Sequence, residues 1–286
     1  MKLTILLLPL FFLGIALAEP SSFPVFPSVI GQPNFTSNEE LNPPTASSLN
    51  GPEGIAIDPT TGKLFVADAG NDRILRFSST AAYETGAAAE VVLGQTAFDE
   101  TSDGLSATKM SSLTGIFVDQ EGRLWVSDRG NDRVLRFDNA STIGTGAPAN
   151  GVIGQPDLDS DVDPGTPPHS KFEDPTGIFV TPDGTLWVVD DTLARILRFD
   201  NAATLNGEVM ADQVIGQPDL ETFGEDTTQE ALKSPWGVWV DEGGNLFVGD
   251  HGNDRVLRFD NVVNQGNGPP ASAVFGQPDF ERNLKG

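Results

Sequence analysis

The sequence predicts an all-β fold, a β-propeller of four-stranded antiparallel blades with four complete repeats and an orphan N-terminal strand. Three observations predict it. A Gly-Gln pair recurs at Gly31, Gly94, Gly154, Gly216 and Gly276, at spacings of 63, 60, 62 and 60 residues. Four short runs rich in Val, Ile, Phe and Trp repeat between successive markers, bounded by Gly, Asp, Asn and Pro, which is the composition of strands and turns. The second run of each unit is apolar almost throughout, as expected of a strand covered on both faces. A ring of stacked blades covers every sheet in this way, because each blade packs between two others.

The chain begins with a leader. Lys2, the apolar run to Leu17 and the small residues around Ala18 form an export signal over 1–18. Residues 19–50 are expected to hold the orphan strand and a linker. The blades are expected over 51–98, 113–158, 175–220 and 235–280, with 51–280 as one propeller domain. The first strand reads GIAID, GIFVD, GIFVT and GVWVD from Gly54, Gly115, Gly177 and Gly237. The second carries one large aromatic: Phe65, Trp125, Trp187 or Phe247. The third closes on Phe77, Phe137, Phe199 or Phe259. The fourth ends in Gly-Gln, followed by Pro in four of five copies, which suits an outer edge because Pro donates no ladder hydrogen bond.

Between the second and third strands lies the most regular stretch, DAGNDRILRF from Asp68, with copies at Asp128, Asp190 and Asp250. Gly and Asn supply the permissive turn backbone. The Asp is expected to cap turn amides and pair with the Arg that opens the third strand, in the bidentate geometry guanidinium groups favour. This motif uses eight of the eleven arginines, so they serve the scaffold and form no basic patch. The third copy departs from the others. Leu193 replaces the Asn of Asn71, Asn131 and Asn253, and Thr181 replaces the Asp of Asp58, Asp119 and Asp241, so that turn is expected to be built differently.

Composition narrows the function. The net charge of −24 disfavours nucleic acid and anionic lipid as partners. With no cysteine, disulfides, thiol nucleophiles and Cys-ligated zinc are excluded. No segment after the leader is apolar enough to span a membrane. A secreted or periplasmic protein is expected, with no membrane attachment once the signal is removed. Asn34 and Asn139 open glycosylation sequons, which matter only in a eukaryotic secretory pathway.

The motif P-x-G-I-x-V-D, continued by L-W-V-x-D-x-x-N-x-R-V-L-R-F and a V-I-G-Q-P-D-F tail, resembles the NHL repeat, in its long-period exported variety. The resemblance spans about residues 29–280. It implies a propeller, usually of six blades. It implies a range of functions: protein-binding scaffolds, RNA binders, an amidating lyase using zinc and calcium, and calcium-dependent lactonases. The lyase does not carry over, because His169 and His251 are the only histidines and a catalytic zinc needs more nitrogen ligands.

The long acidic loops between blades share a face with the turns after the second strands. Loops beyond about 12–15 residues are often functional. Positions that diverge between repeats are the candidate ligand-readers there. Before the first-strand glycine stand Glu53, Thr114, Thr176 and Trp236; after the turn Asp stand Ala69, Arg129, Asp191 and His251. Aromatic, hydroxyl, acid and base around one channel mouth suit a small ligand or a peptide. Asp157, Asp159, Asp161 and Asp163 alternate as calcium ligands can, although the EF-hand pattern fails. No G-x-S-x-G accompanies the histidines, which weighs against a hydrolytic triad.

The leading expectation is an exported scaffold, not an enzyme and without a cofactor, that binds a protein, peptide or glycan through its acidic face. The alternative is a calcium-dependent hydrolase of the lactonase type, with Glu53 and Asp191 as metal ligands. Self-association through the orphan strand is a third expectation.

Overall fold

The structure, a computed structural model, describes residues 28–79, 84–160, 162 and 171–284. The expected leader lies outside them. Four sheets of four strands each follow in chain order. The first contains β1 (Pro52–Ile57), β2 (Leu64–Asp68), β3 (Arg73–Phe77) and β4 (Val91–Leu93). The second contains β5 (Leu113–Val118), β6 (Leu124–Asp128), β7 (Arg133–Phe137) and β8 (Gly151–Ile153). The third contains β9 (Pro175–Val180), β10 (Leu186–Asp190), β11 (Arg195–Phe199) and β12 (Gln213–Ile215). The fourth contains β13 (Pro235–Val240), β14 (Leu246–Asp250), β15 (Arg255–Phe259) and β16 (Ala273–Phe275).

Within each blade the strands are antiparallel and ordered from first to fourth. Inner strands pack in the order β1, β5, β9, β13. The first-strand glycines allow this close approach. A side chain on Gly54 would meet the carbonyl of Thr114; on Gly115 it would meet that of Thr176, and on Gly177 that of Trp236.

The core is built at the junctions. Phe65 and Ile74 of blade 1 pack with Ile116 and Leu124 of blade 2, and Trp125 and Val134 of blade 2 pack with Ile178 and Leu186 of blade 3. Trp187 and Ile196 of blade 3 pack with Val240 and Leu246 of blade 4. Burying such side chains contributes about 1.5–3 kcal/mol each. The four sheets form an open arc. At one end Ile55 and Ile57 are 72% and 60% exposed, and at the other Trp239 and Phe275 are 53% and 47% exposed.

The fifth Gly-Gln segment, from Ser28, joins no sheet. It nevertheless lies where a fourth strand of a preceding blade would lie. In blades 1 to 3 the middle residue of the fourth strand is held by the following blade. Gly146 N donates to Val92 O over 3.0 Å, Gly207 N to Val152 O over 2.7 Å, and Gly268 N to Val214 O over 3.0 Å. Gly86 N donates to Val29 O in the same way, over 2.9 Å. Gly31 has φ +87°, within the +86° to +99° range of the four later Gly-Gln glycines.

Candidate binding face at the channel mouth

The repeated Asp and Arg sit beneath this face and are spent on the scaffold. The Nε atoms of Arg73, Arg133, Arg195 and Arg255 donate to Asp68, Asp128, Asp190 and Asp250 over 2.7, 2.7, 2.9 and 2.6 Å. All eight side chains are fully buried. The pairing is through one nitrogen, not the expected bidentate fork. The other guanidinium nitrogens are needed elsewhere: those of Arg133 donate to the carbonyls of Ser106 and Lys109 in the loop entering its blade and of Leu158 in the loop leaving it.

The carboxylate likewise caps the backbone of the incoming loop instead of the backbone of its own turn. It accepts from the backbone N–H of Asn50, Ser111, Glu173 or Lys233. Each Arg thus ties the segments entering and leaving its blade to that blade.

The third turn is built differently in one respect, since residues 191–193 form a plain turn where 69–71, 129–131 and 251–253 form a 3-10 helix, but it leaves through the same left-handed residue. Ala194 has φ +48° and donates to Asp191 O over 3.0 Å, as Asp132 at +49° donates to Arg129 O over 3.2 Å. The filling changes as well. Asn71, Asn131 and Asn253 donate their amides to the buried Asp, whereas Leu193 is buried and has no amide to give. Burial pushes the Asp190 carboxyl up to about 7, against the opposing pull of Arg195.

Above this layer the structure brings four of the diverging residues into one cluster. Arg129 lies over the Trp236 ring at 6.0 Å and its Nε pairs with Asp174 over 3.1 Å. Asp191 is half-buried beside them. Burial raises its pKa; Arg129 opposes the rise, Asp174 and Glu225 add to it, and His251 opposes it weakly. Trp236 is 45% exposed and His251 is exposed, so the cluster faces outward.

The other candidates lie elsewhere. Thr114 and Thr176 are buried in the inner strands; Thr114 donates to the carbonyl of Pro175, joining β5 to β9. Glu53 is exposed on β1, at the open end of the arc. Asp174 and Glu225 belong to the cluster but were not singled out in the sequence. Asp174 was within reach of the same comparison, since its equivalents Gly51, Ser112 and Ser234 differ from it in every repeat.

Asp157 turns its carboxylate onto the Asp159 N–H over 2.9 Å, and both residues are exposed or nearly so. Asp161 and Asp163 lie outside the described residues, as does His169. Among the described residues no group of three His, Asp or Glu side chains converges as metal ligands would. At the opposite end of the channel Ile57, Phe117 and Phe179 line an apolar cavity of about 290 Å3.

A chain of stacked four-stranded blades, three with a D-x-x-N-x-R turn and the third with Leu193 in place of the Asn, is an NHL-repeat β-propeller. A family model for the teneurin NHL domain matches residues 46–279, and the chain belongs to that family. It is 28% identical to zebrafish (Danio rerio) teneurin-3 over 230 residues, covering 74% of this chain and 8% of that protein. It is 26% identical to human teneurin-4 over 239 residues, covering 78% of this chain and 8% of that protein. The chain therefore spans less than a tenth of these relatives. Among solved structures, a streptogramin B lyase superposes with a TM-score of 0.47 at 13% identity, covering 84% of this chain and 57% of the lyase. Among the described residues no helix is long and apolar enough to cross a membrane.

Proposed function

We propose that the protein is an exported binding scaffold whose ligand, a protein, peptide or glycan, docks on the loop-bearing face at the channel mouth. The observation that carries this reading is the Arg129–Trp236 stack flanked by Asp174, Asp191 and His251. An exposed indole with a guanidinium on its face offers flat apolar area and fixed charge together, the combination that dominates binding hot spots. The carboxylates beside it add directional acceptors for hydroxyl or amide groups. The scaffold beneath is rigid, because the buried Asp–Arg pairs hold the loops from below.

The test is a screen of the mature protein against glycan and peptide arrays, repeated with Trp236→Ala combined with Arg129→Ala. Ligands bound by the parent and lost by the double variant, at unchanged melting temperature, support the reading. Ligands bound equally by both would place the binding surface elsewhere and overturn it.

A further inference from the structure

The two ends of the arc carry the two halves of a junction that the chain builds three times within itself. At the tail end, blade 4 presents the half that blades 1 to 3 each bury against the next blade. Ile74, Val134 and Ile196 are fully buried, whereas their equivalent Val256 is 39% exposed. Leu93, Ile153 and Ile215 are buried, whereas Phe275 is 47% exposed. Gly237 repeats Gly54, Gly115 and Gly177, yet nothing lies within 4 Å of the position its side chain would occupy. Arg76, Arg136 and Arg198 reach across to carbonyls of the next blade, at Ala140, Ala203 and Val263. Arg258, with no next blade among the described residues, keeps only the pairing inside its own blade, with Asp260, that Arg136 also makes with Asp138 and Arg198 with Asp200.

At the head end, blade 1 presents the other half. Ile55 and Ile57 are exposed, whereas their equivalents Ile116 and Val118 are buried. Gly51 has φ +54°, as Ser112, Asp174 and Ser234 have φ +49°, +61° and +40° at the same place. The N–H groups of Ser112 and Asp174 donate to Asp72 and Asp132 of the preceding blade, over 2.7 and 2.9 Å. Asp254 holds the matching carboxylate position on the tail face, and Gly51 the matching N–H on the head face.

We propose that the tail face of blade 4 docks on the head face of blade 1 in a second copy of this chain, and that residues 28–31 are a cap which this docking displaces. A second copy fits because it continues the existing junctions residue for residue: Gly237 against the Glu53 backbone, Asp254 against the Gly51 N–H, and Val256 and Phe275 over Ile55 and Ile57. The partner's Val274 then takes the Thr85 and Gly86 positions now held by Val29. The cap is the element that yields. It is held through Val29 by two hydrogen bonds, of 3.3 Å from Val29 N to Thr85 and 2.9 Å from Gly86 N, and through Ile30, which is only partly buried against the cluster of Val66, Leu75 and Phe77 and stands where Phe275 would. In contrast, β16 is paired in register to β15, and Arg255 locks the segment behind it through the Phe280 carbonyl. The contact is heterologous, so it closes into a ring or grows as a chain of copies according to the rotation per junction. It is independent of any ligand at the channel mouth.

Sedimentation velocity over a wide concentration range tests this, using the mature full chain and three point variants. Val29→Pro removes the N–H that ties the cap to Thr85 and is expected to tighten association about tenfold. Ile55→Glu and Val256→Glu each place a charge on one exposed face and are expected to remain folded and monomeric. An equimolar mixture of these two variants keeps one intact head and one intact tail, so it is expected to recover a dimer. Monomers throughout, for Val29→Pro as well, would overturn the proposal. So would association that survives both charge variants, or a mixture that fails to complement.

Discussion

The indole Nε1 of Trp125 donates to the Asp119 carboxylate over 2.9 Å, so one side chain both fills a blade junction and satisfies its buried polar atom. The equivalent indole, Trp187, is fully buried and its Nε1 has no partner, because Thr181 stands where the Asp would be. A buried unsatisfied donor costs about 1–3 kcal/mol. Thr181→Asp is therefore expected to stabilise the protein by about 1 kcal/mol, toward the low end because Asp183 lies close by. Glu121 stands in the same relation to Asp119, which shows that the geometry tolerates a nearby acid. Urea denaturation checks this; an unchanged or lowered midpoint would mean that the Asp does not reach the indole.

Asp190 supplies the pH prediction. Its carboxyl is pushed up to about 7 in the fold, above its ordinary value of 3.8. The fold therefore favours the protonated form. That contribution is fully present below pH 3.8 and is lost as pH rises through about 7. Stability should fall from pH 5 to pH 8. Leu193→Asn restores the amide that Asn131 gives to Asp128 and is expected to lower the Asp190 pKa and flatten the fall. Some slope remains, because burial raises Asp128 as well. Denaturation midpoints of both proteins at the two pH values decide it: parallel slopes would show that the missing amide is not the cause.

The blades were legible because every unit repeats the same constraint. A glycine where inner strands meet, an aromatic in the second strand, and an Asp and Arg across one turn each recur four times, so one accidental match could not mislead. The inner arrangement of the motif was less legible. Sequence pairs the Asp with the Arg, but the carbonyls that claim the remaining guanidinium nitrogens belong to loops without a shared pattern. At the mouth, divergence picked out Arg129, Asp191, Trp236 and His251, which do come together. It also picked out Thr114 and Thr176, since a position that varies to fit its neighbours diverges just as one that varies to fit a ligand does.

The ties between Arg133 and two loops predict a graded outcome. Arg133→Lys keeps the charge opposite Asp128 but loses the planar fork that reaches Ser106, Lys109 and Leu158 together. Breaking a buried pair outright costs about 3–5 kcal/mol, and the retained charge should hold the loss below that. Hydrogen exchange is expected to speed up in the loops around Ser106 and Leu158 while β13 to β15 stay protected. Uniform acceleration across all four blades would show instead that the pair acts only through global stability.

The mouth itself makes the last prediction. Asp191 is raised by burial, and Arg129 is the main influence that opposes the rise. Arg129→Met keeps much of the apolar stem against Trp236 and removes the charge. The Asp191 pKa is then expected to climb further, since Asp174 and Glu225 continue to push it upward. Carboxyl carbon shifts followed by NMR through a pH titration would report this directly. The emission of Trp236, 45% exposed and released from the guanidinium, should change in the same variant. An unmoved Asp191 titration would mean that Arg129 acts on Asp174 alone, and that the acid and the stacked pair are two separate features of the mouth.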